Sequence, residues 1–410
     1  MTVIVVGGGA SGIMAAIAAR ARGAVVTIVE KNPRLGKKIL TTGNGRCNLT
    51  NINACAGSYH GADPGFAAGI IEQYDVKKTI KFFEKLGISH KVEESGKVFP
   101  MSDQASSVLD VLRYKLEQGD VKVIYEARVS EIRKNENGEF EIKLADGACI
   151  KGERVVLTAG GKAMPVTGSN GDGFRLAHEL GHKIGDVFPA LVPLKLEGRF
   201  FKSIAGVKIS GTAEVLDGNK PEAGDRGDIL FTSYGISGPP ILQISRKAGE
   251  IMQNGRNPVL RLNMIDSMPK ERLDGLLAKR FYHAVGKTAE FSLVGLINKR
   301  LIPVLLKEAG VNNLKAPVEN LSAGERKKIL NILTDWRFRI TGTTSWPNAQ
   351  ITAGGIDTRE VDKNTLESKI VSGLFFAGEV LDIDGACGGY NLQWAWSSGT
   401  IAGRNAALSE

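Results

Sequence analysis

Cysteine is scarce in this 410-residue chain, and none of Cys47, Cys55, Cys149 and Cys387 forms a C-x-x-C pair. That argues against a zinc ribbon or a disulfide framework and fits a reducing cytoplasm. Long apolar runs are also missing: no stretch reaches 18 apolar residues, so no membrane span is expected. The apolar start, residues 1–21, is broken by Gly7-Gly8-Gly9 and lacks a basic leader, so it reads as strand, turn and helix. There is no block of five or six like charges. The net charge of +9 therefore reads as a solvated basic surface, suited to an anionic cofactor or substrate, and nucleic acid is not the expected partner. Internal repeats and low-complexity tracts are absent, and nothing in the sequence signals an oligomeric state.

What is abundant is glycine, with 50 residues mostly in short clusters, which marks close backbone approach rather than a flexible linker. The first cluster follows a β-rich run at 2–6 and precedes an alanine-rich helical run at 10–22. Gly7-Gly8-Gly9-Ala10-Ser11-Gly12 fits G-x-G-x-x-G. Gly7 allows the tight turn, Gly9 lets a pyrophosphate approach, and Gly12 lets the helix pack on the strand. The N–H groups at Ala10 and Ser11 open the helix toward the phosphates. A second β-rich run, 25–29, ends at Glu30, 18 residues after Gly12, where an acid accepts hydrogen bonds from an adenosine ribose. Together these predict a dinucleotide site, with Lys31 beside it.

Residues 33–53 have little apolar period, and so long an irregular segment inside a domain points to function. It reads Pro33-Arg34-Leu35-Gly36-Lys37-Lys38-Ile39-Leu40-Thr41-Thr42-Gly43-Asn44-Gly45-Arg46-Cys47-Asn48-Leu49-Thr50-Asn51. Glycines and small polar residues (Thr42, Gly43, Asn44, Gly45, Asn48) can present N–H groups to a flat polar ring, and Lys37, Lys38 and Arg46 can offset negative charge. The segment resembles the hallmark of the BaiN/YhiN-like flavoproteins, and the similarity runs along the whole chain. That family includes members labelled aminoacetone oxidase and bile-acid dienone reductase.

The resemblance implies FAD. It also implies that Thr158-Ala159-Gly160-Gly161 brings the chain back beside the cofactor and that Gly378-Glu379 contacts the ribityl chain. Gly389-Tyr390-Asn391-Leu392 would aim a helix N-terminus at the ring, favouring its anionic reduced form. Val129 is carried over as the residue pairing with adenine. Arg46, Tyr390 and Asn391 are the candidates for the reactive face. The expected fold is α/β. It is a Rossmann-type, two-dinucleotide-binding FAD domain of the glutathione-reductase-like kind, from residues 1–190 and 341–410. An inserted β-barrel-like domain at 191–265 and a helical domain at 266–340 complete it.

The expected function is an FAD-dependent oxidoreductase acting on a small molecule. In the first reading NADH or NADPH is the transient reductant and an enone or dienone accepts hydride. In a second, an amine is oxidised with oxygen as acceptor, and in a third the flavoprotein acts on RNA. No second G-x-G-x-x-G unit offers a nicotinamide domain. His178-Glu179-Leu180-Gly181-His182 fits the zinc motif H-E-x-x-H, but Gly181 is a poor helix interior residue, so no metal is expected. Cys47 has no relay partner at redox spacing.

Overall fold

The computed structural model describes residues 1–408. Two compact units emerge, one from Met1–Pro189 with Ala349–Glu410 and one from Ala190–Asn348. The first is organised by five strands: β1 (Thr2–Val6), β2 (Val25–Val29), β3 (Lys122–Ile124), β4 (Arg154–Leu157) and β5 (Leu374–Phe376). They lie in the order β5-β4-β1-β2-β3, and every neighbouring pair is parallel. The sequences VVTIV and LFF suit strands covered on both faces, and Val3, Val5, Ile28, Val156 and Phe376 are buried completely. Because the strands run one way, the turns that follow them share one edge, where open α/β sheets bind ligands.

Helix α1 (Ala10–Arg20) joins β1 to β2, α2 (Asp172–Glu179) follows β4, and α3 (Tyr390–Ala406) follows β5. Most of α1 is Ala, Ser or Gly, and that lets α3 lie close against it. A Cβ added to Gly399 or Gly403, one turn apart on α3, would collide with the carbonyl oxygens of Ser11 and Ala15. Ile13, Met14, Trp394, Trp396 and Ile401 fill the surrounding core. Burying each such side chain stabilises the fold by about 1.5–3 kcal/mol.

The second unit is a closed antiparallel barrel. Its strands lie in the order Leu194–Leu196, Gly235–Ser237, Lys220–Thr232, Lys208–Asp217, Pro258–Asn263 and Trp336–Thr343. Helices Lys270–His283, Ala289–Ser292, Ile302–Glu308 and Ala323–Thr334 are inserted before the last strand. Phe231 and Leu260 of the barrel and Leu277, Leu305 and Leu333 of the helices belong to one buried cluster. Residues 191–265 and 266–340 therefore do not form separate domains: the strand that completes the barrel arrives only after the helices, and it carries the unit past position 341.

One local expectation also changes. A helix, Pro239–Gln253, lies inside the segment read as β, with Pro at its first turn and Ile241, Ile244, Ala248 and Ile251 on its buried face. Beyond the backbone turn at Gly295, where φ is +84°, the next helix of this unit begins at Ile302.

Gly403→Ala forces the α1–α3 contact apart and should lower stability by about 1–3 kcal/mol. Gly275→Ala, on the exposed face of helix Lys270–His283 with nothing within 4 Å of the new methyl, should raise it by up to about 1 kcal/mol. Urea midpoints of the two variants check this, and equal midpoints would mean that α1 and α3 are not tightly packed.

Candidate active site

The turn after β1 divides its glycines by role. A Cβ on Gly7 would stand 2.7 Å from the Thr158 carbonyl oxygen, and one on Gly12 would collide with the Gly7 carbonyl. A Cβ on Gly9 would meet nothing within 4 Å. Gly7 and Gly12 are thus closed against the protein, while Gly9 faces open space at the head of α1. No side chain caps that helix and no acid sits in its first turn, so its N–H groups and positive dipole are offered outward at Ala10 and Ser11.

Glu30, at the end of β2, is buried. Its Oε2 accepts the Gly8 N–H at 2.7 Å, and its Oε1 accepts the Asn32 backbone and amide N–H groups at 2.8 and 2.7 Å. A carboxylate takes about four hydrogen bonds, which leaves one place on Oε2 for an outside hydroxyl. Lys31 reaches Asn170 Oδ1 at 2.6 Å and Asp172 Oδ2 at 2.9 Å, and Arg128 pairs with the same acid at 2.8 Å. Burial pushes the Asp172 carboxyl up, but Arg128 and Lys31 outweigh it and hold it well below the usual carboxylate range. Val129 opens the strand Val129–Lys134 of a separate three-stranded sheet, one residue beyond Arg128.

The turns after β4 and β5 close on the same edge. The Thr158 hydroxyl lies 2.7 Å from the Gly7 carbonyl oxygen. The Gly378 N–H donates to Ser398 Oγ at 2.9 Å, and a Cβ on Gly378 would collide with Ser11 Oγ. Glu379 is held from two sides: its Oε1 accepts the Thr352 N–H at 2.9 Å, and its Oε2 pairs with Lys38 Nζ at 2.7 Å. Thr352 Oγ1 in turn accepts the N–H groups of Lys162 and Ala163, which fixes the chain after Ala159, Gly160 and Gly161. Thr352 carried no signal in the sequence, because its strand is three residues long and lies far along the chain.

The irregular segment turns back through Thr42, whose hydroxyl donates to the Ile39 carbonyl at 2.7 Å, and through a left-handed run at Gly43, Asn44 and Gly45. Lys37 is half-buried beside Lys38. Cys47 is fully buried, and burial pushes its thiol up to about 12, so it is not a thiolate. Asn48 is buried with Oδ1 unpartnered, and that atom would lie 2.8 Å from a Cβ on Gly389. Gly389 has φ +100° and caps α3, whose first turn also lacks a capping side chain and any acid. An unsatisfied acceptor thus stands beside a second uncapped helix N-terminus.

The three candidates for the reactive face differ in what their side chains already do. Arg46 pairs with Glu93 at 2.7 Å, lies 3.6 Å from Asp103, and stacks its guanidinium 3.9 Å over the Phe99 ring. Asn391 accepts the Gly385 N–H at 2.8 Å and donates to the Gly385 and Ala386 carbonyls at 2.8 and 3.2 Å, so its amide is used in holding the turn before α3. The Tyr390 ring meets Tyr59 edge-on at 6.4 Å. Burial, with the charges of Cys55 and Cys387, raises its phenol despite a hydrogen bond with Ser58, so it stays a proton donor at neutral pH. Leu392 packs against the core one turn into α3.

These residues fit FAD on the protein's own geometry: an open cradle at Gly9, two uncapped helix N-termini, one free place on Glu30 and an orphaned acceptor on Asn48. The H-E-x-x-H segment serves packing instead. α2 ends at Glu179 and Gly181 has φ +93°. His182 is buried, with Nε2 2.8 Å from Ser368 Oγ and Nδ1 3.2 Å from Glu360 but outside hydrogen-bond geometry. Burial lowers its pKa more than Glu360 raises it.

Gly9→Ala should leave the melting temperature of the apoprotein unchanged and weaken FAD binding at least tenfold, because only the cradle is filled. Gly12→Ala should destabilise the apoprotein itself. Calorimetry and fluorescence titration separate the two, and a Gly9→Ala protein with full FAD affinity would remove the cradle. His182 charges more readily in the unfolded chain than in the folded one, so its stability contribution is complete above about pH 6.5 and falls as the pH drops below it. His182→Gln should flatten the decline in urea midpoint between pH 7 and pH 5.

Known proteins resemble this chain along nearly its whole length. The family described as HI0933-like protein Rossmann domain matches residues 1–405. A 3-dehydro-bile acid delta(4,6)-reductase of Clostridium scindens is 40% identical over 405 residues, covering 98% of each chain. A ribosomal RNA dihydrouridine synthase of Escherichia coli is 30% identical over 400 residues, covering 96% of this chain and 95% of that one. A solved 3-ketosteroid delta1-dehydrogenase of Sterolibacterium denitrificans covers 99% of both chains with a TM-score of 0.51 at 14% identity, a likeness of fold alone. No helix among the described residues is long and apolar enough to cross a membrane. The chain belongs to the HI0933-like Rossmann family and is an FAD-dependent oxidoreductase.

Proposed function

We propose that this enzyme saturates a carbon–carbon double bond conjugated to a carbonyl, with NADH or NADPH as the source of electrons. The two curated relatives differ in substrate size but share this chemistry: a 3-oxo steroid diene and a uracil ring both place the double bond next to a carbonyl. FAD, when bound, supplies hydride transfer in both half-reactions. The carrying observation is the start of α3. There an uncapped helix N-terminus opens at Tyr390, whose phenol is a proton donor at neutral pH and is pushed further up by burial. The phenol can donate to the carbonyl oxygen or deliver the proton that accompanies hydride. Asn391 keeps the turn in place, and the Lys38–Glu379 pair fixes the irregular segment against the turn after β5. A small enone or dienone is the first-choice substrate, since the 40%-identical relative is named for one.

A second reading, a uracil in RNA, is favoured by where the charge lies. Residues 190–348 hold 24 Lys and Arg against 15 Asp and Glu, an excess of nine that equals the whole chain's +9. The other 251 residues balance at 29 of each sign. The same unit exposes Tyr282 at 76% and Phe291 at 57%, with Lys287 Nζ 5.9 Å from the Phe291 ring centre. Exposed rings among cations suit stacked bases on a polyanion.

An anaerobic visible spectrum of the FAD-loaded protein tests the proposal. NADH or NADPH should bleach the flavin, and a 3-oxo-4,6-diene steroid should restore it. Tyr390→Phe should slow the second step by roughly 10²- to 10⁴-fold with bleaching intact. Restoration by a uridine-containing RNA but not by the steroid, with binding that weakens steeply in salt, selects the second reading. A flavin bleached by an amine and not by nicotinamide would overturn both and turn the assignment to an oxidase.

A further inference from the structure

The cysteines carry more than the sequence spacing shows. Tyr59–His60 pairs antiparallel with Asp384–Gly385, Gly385 opposite Tyr59, and the ladder continues one step through the Ala386 N–H donating to the Ser58 carbonyl at 2.9 Å. Cys387 is the next residue on one side. On the other, Cys55 caps the short turn Ala56–Ser58, with Sγ 3.6 Å from Ser58 Oγ. Two thiols 332 residues apart in sequence are thus brought to the same few residues. Both act on one reporter: the Tyr390 phenol is hydrogen-bonded to Ser58 and feels the charge of Cys55 and of Cys387. Cys55 is exposed and Cys387 half-exposed, and neither is in a disulfide.

We propose that Cys55 and Cys387 are a redox-active thiol pair that a small disulfide such as oxidised glutathione closes into an intramolecular bond. The exposed Cys55 sulfur attacks one sulfur of the small disulfide. That S–S bond breaks, and the first small thiol leaves with the Cys55 proton. Cys387 then attacks the Cys55 sulfur of the mixed disulfide and releases the second small thiol with its own proton. Two protein thiols are oxidised by two electrons, and one small disulfide is reduced to two thiols. The bond would tie the Ala56–Ser58 turn to the residues just before Gly388 and Gly389, the glycines that lead into α3. The pair is independent of the substrate, so it stands or falls apart from the proposed reduction.

The other two cysteines serve as controls. Cys47 is buried and its thiol is pushed up to about 12. Cys149 is exposed on the strand Cys149–Gly152. The FAD-loaded protein is incubated with oxidised glutathione, free thiols are alkylated, and peptides are mapped by mass spectrometry without reduction. The expected result is a Cys55–Cys387 linked peptide, with Cys149 carrying glutathione and Cys47 neither linked nor glutathionylated. Cys387→Ser should stop at glutathione on Cys55. Wild-type protein that accumulates glutathione on Cys55 while Cys387 is still alkylated would overturn the pair, as would a reaction confined to Cys149.

Discussion

The close contact between α1 and α3 is the constraint on which the site depends. These helices come from opposite ends of the chain, and they can lie together only because Gly399 and Gly403 present no side chain to the carbonyls of Ser11 and Ala15. That contact locates the Gly9 turn relative to the Gly389 turn. It also sets Ser398 where it accepts the Gly378 N–H, and Ser11 where a side chain at 378 could not fit. Two helix N-termini and the exit from β5 are therefore positioned by one seam of small residues. A larger residue there would displace both helix N-termini together.

The parts of this arrangement that were legible in the sequence are those fixed by local rules. G-x-G-x-x-G between a β-rich and an alanine-rich run placed β1, the turn and α1, and the acid closing the next run placed Glu30. The strand at 25–29 follows from its β-rich composition. What could not be read depends on partners far along the chain. Thr352 matters because its hydroxyl accepts from Lys162 and Ala163, nearly two hundred residues earlier. Asn391 looked like a group for the reactive face, yet its amide is used up on Gly385 and Ala386. The single core of the inserted unit was hidden for the same reason, since the barrel is completed only by Trp336–Thr343. The helix Pro239–Gln253 was readable in principle from its proline start and its Ile241, Ile244, Ala248, Ile251 spacing, but neighbouring glycine turns masked it.

The charge distribution separates two tasks. The unit that holds the dinucleotide motif is neutral overall, and its Lys31 and Lys38 are already paired with Asp172 and Glu379, so affinity for an anion there would rest on the uncapped helix N-termini. Such fields act over short range and with direction. The barrel-and-helix unit carries the whole excess of nine positive charges, and a diffuse field of that kind steers large anions rather than binding a specific small one. The two kinds of field are thus segregated in the sequence: directed groups at the dinucleotide motif, net charge in residues 190–348.

Preorganisation links the two acids of the site. Glu30 is fixed by the N–H groups of Gly8 and Asn32, and Glu379 by the Thr352 N–H and the Lys38 ammonium. Each carboxylate is therefore oriented before any ligand arrives, so a hydroxyl that binds to it need not supply the ordering free energy of a long side chain. The Glu379 carboxylate reaches the Thr352 backbone on one side and Lys38 on the other. Through that pair the segment of residues 33–53, whose regular structure is the 3-10 helix Ile39–Gly45 and the two-residue strand Thr50–Asn51, is also tied to the turn after β5.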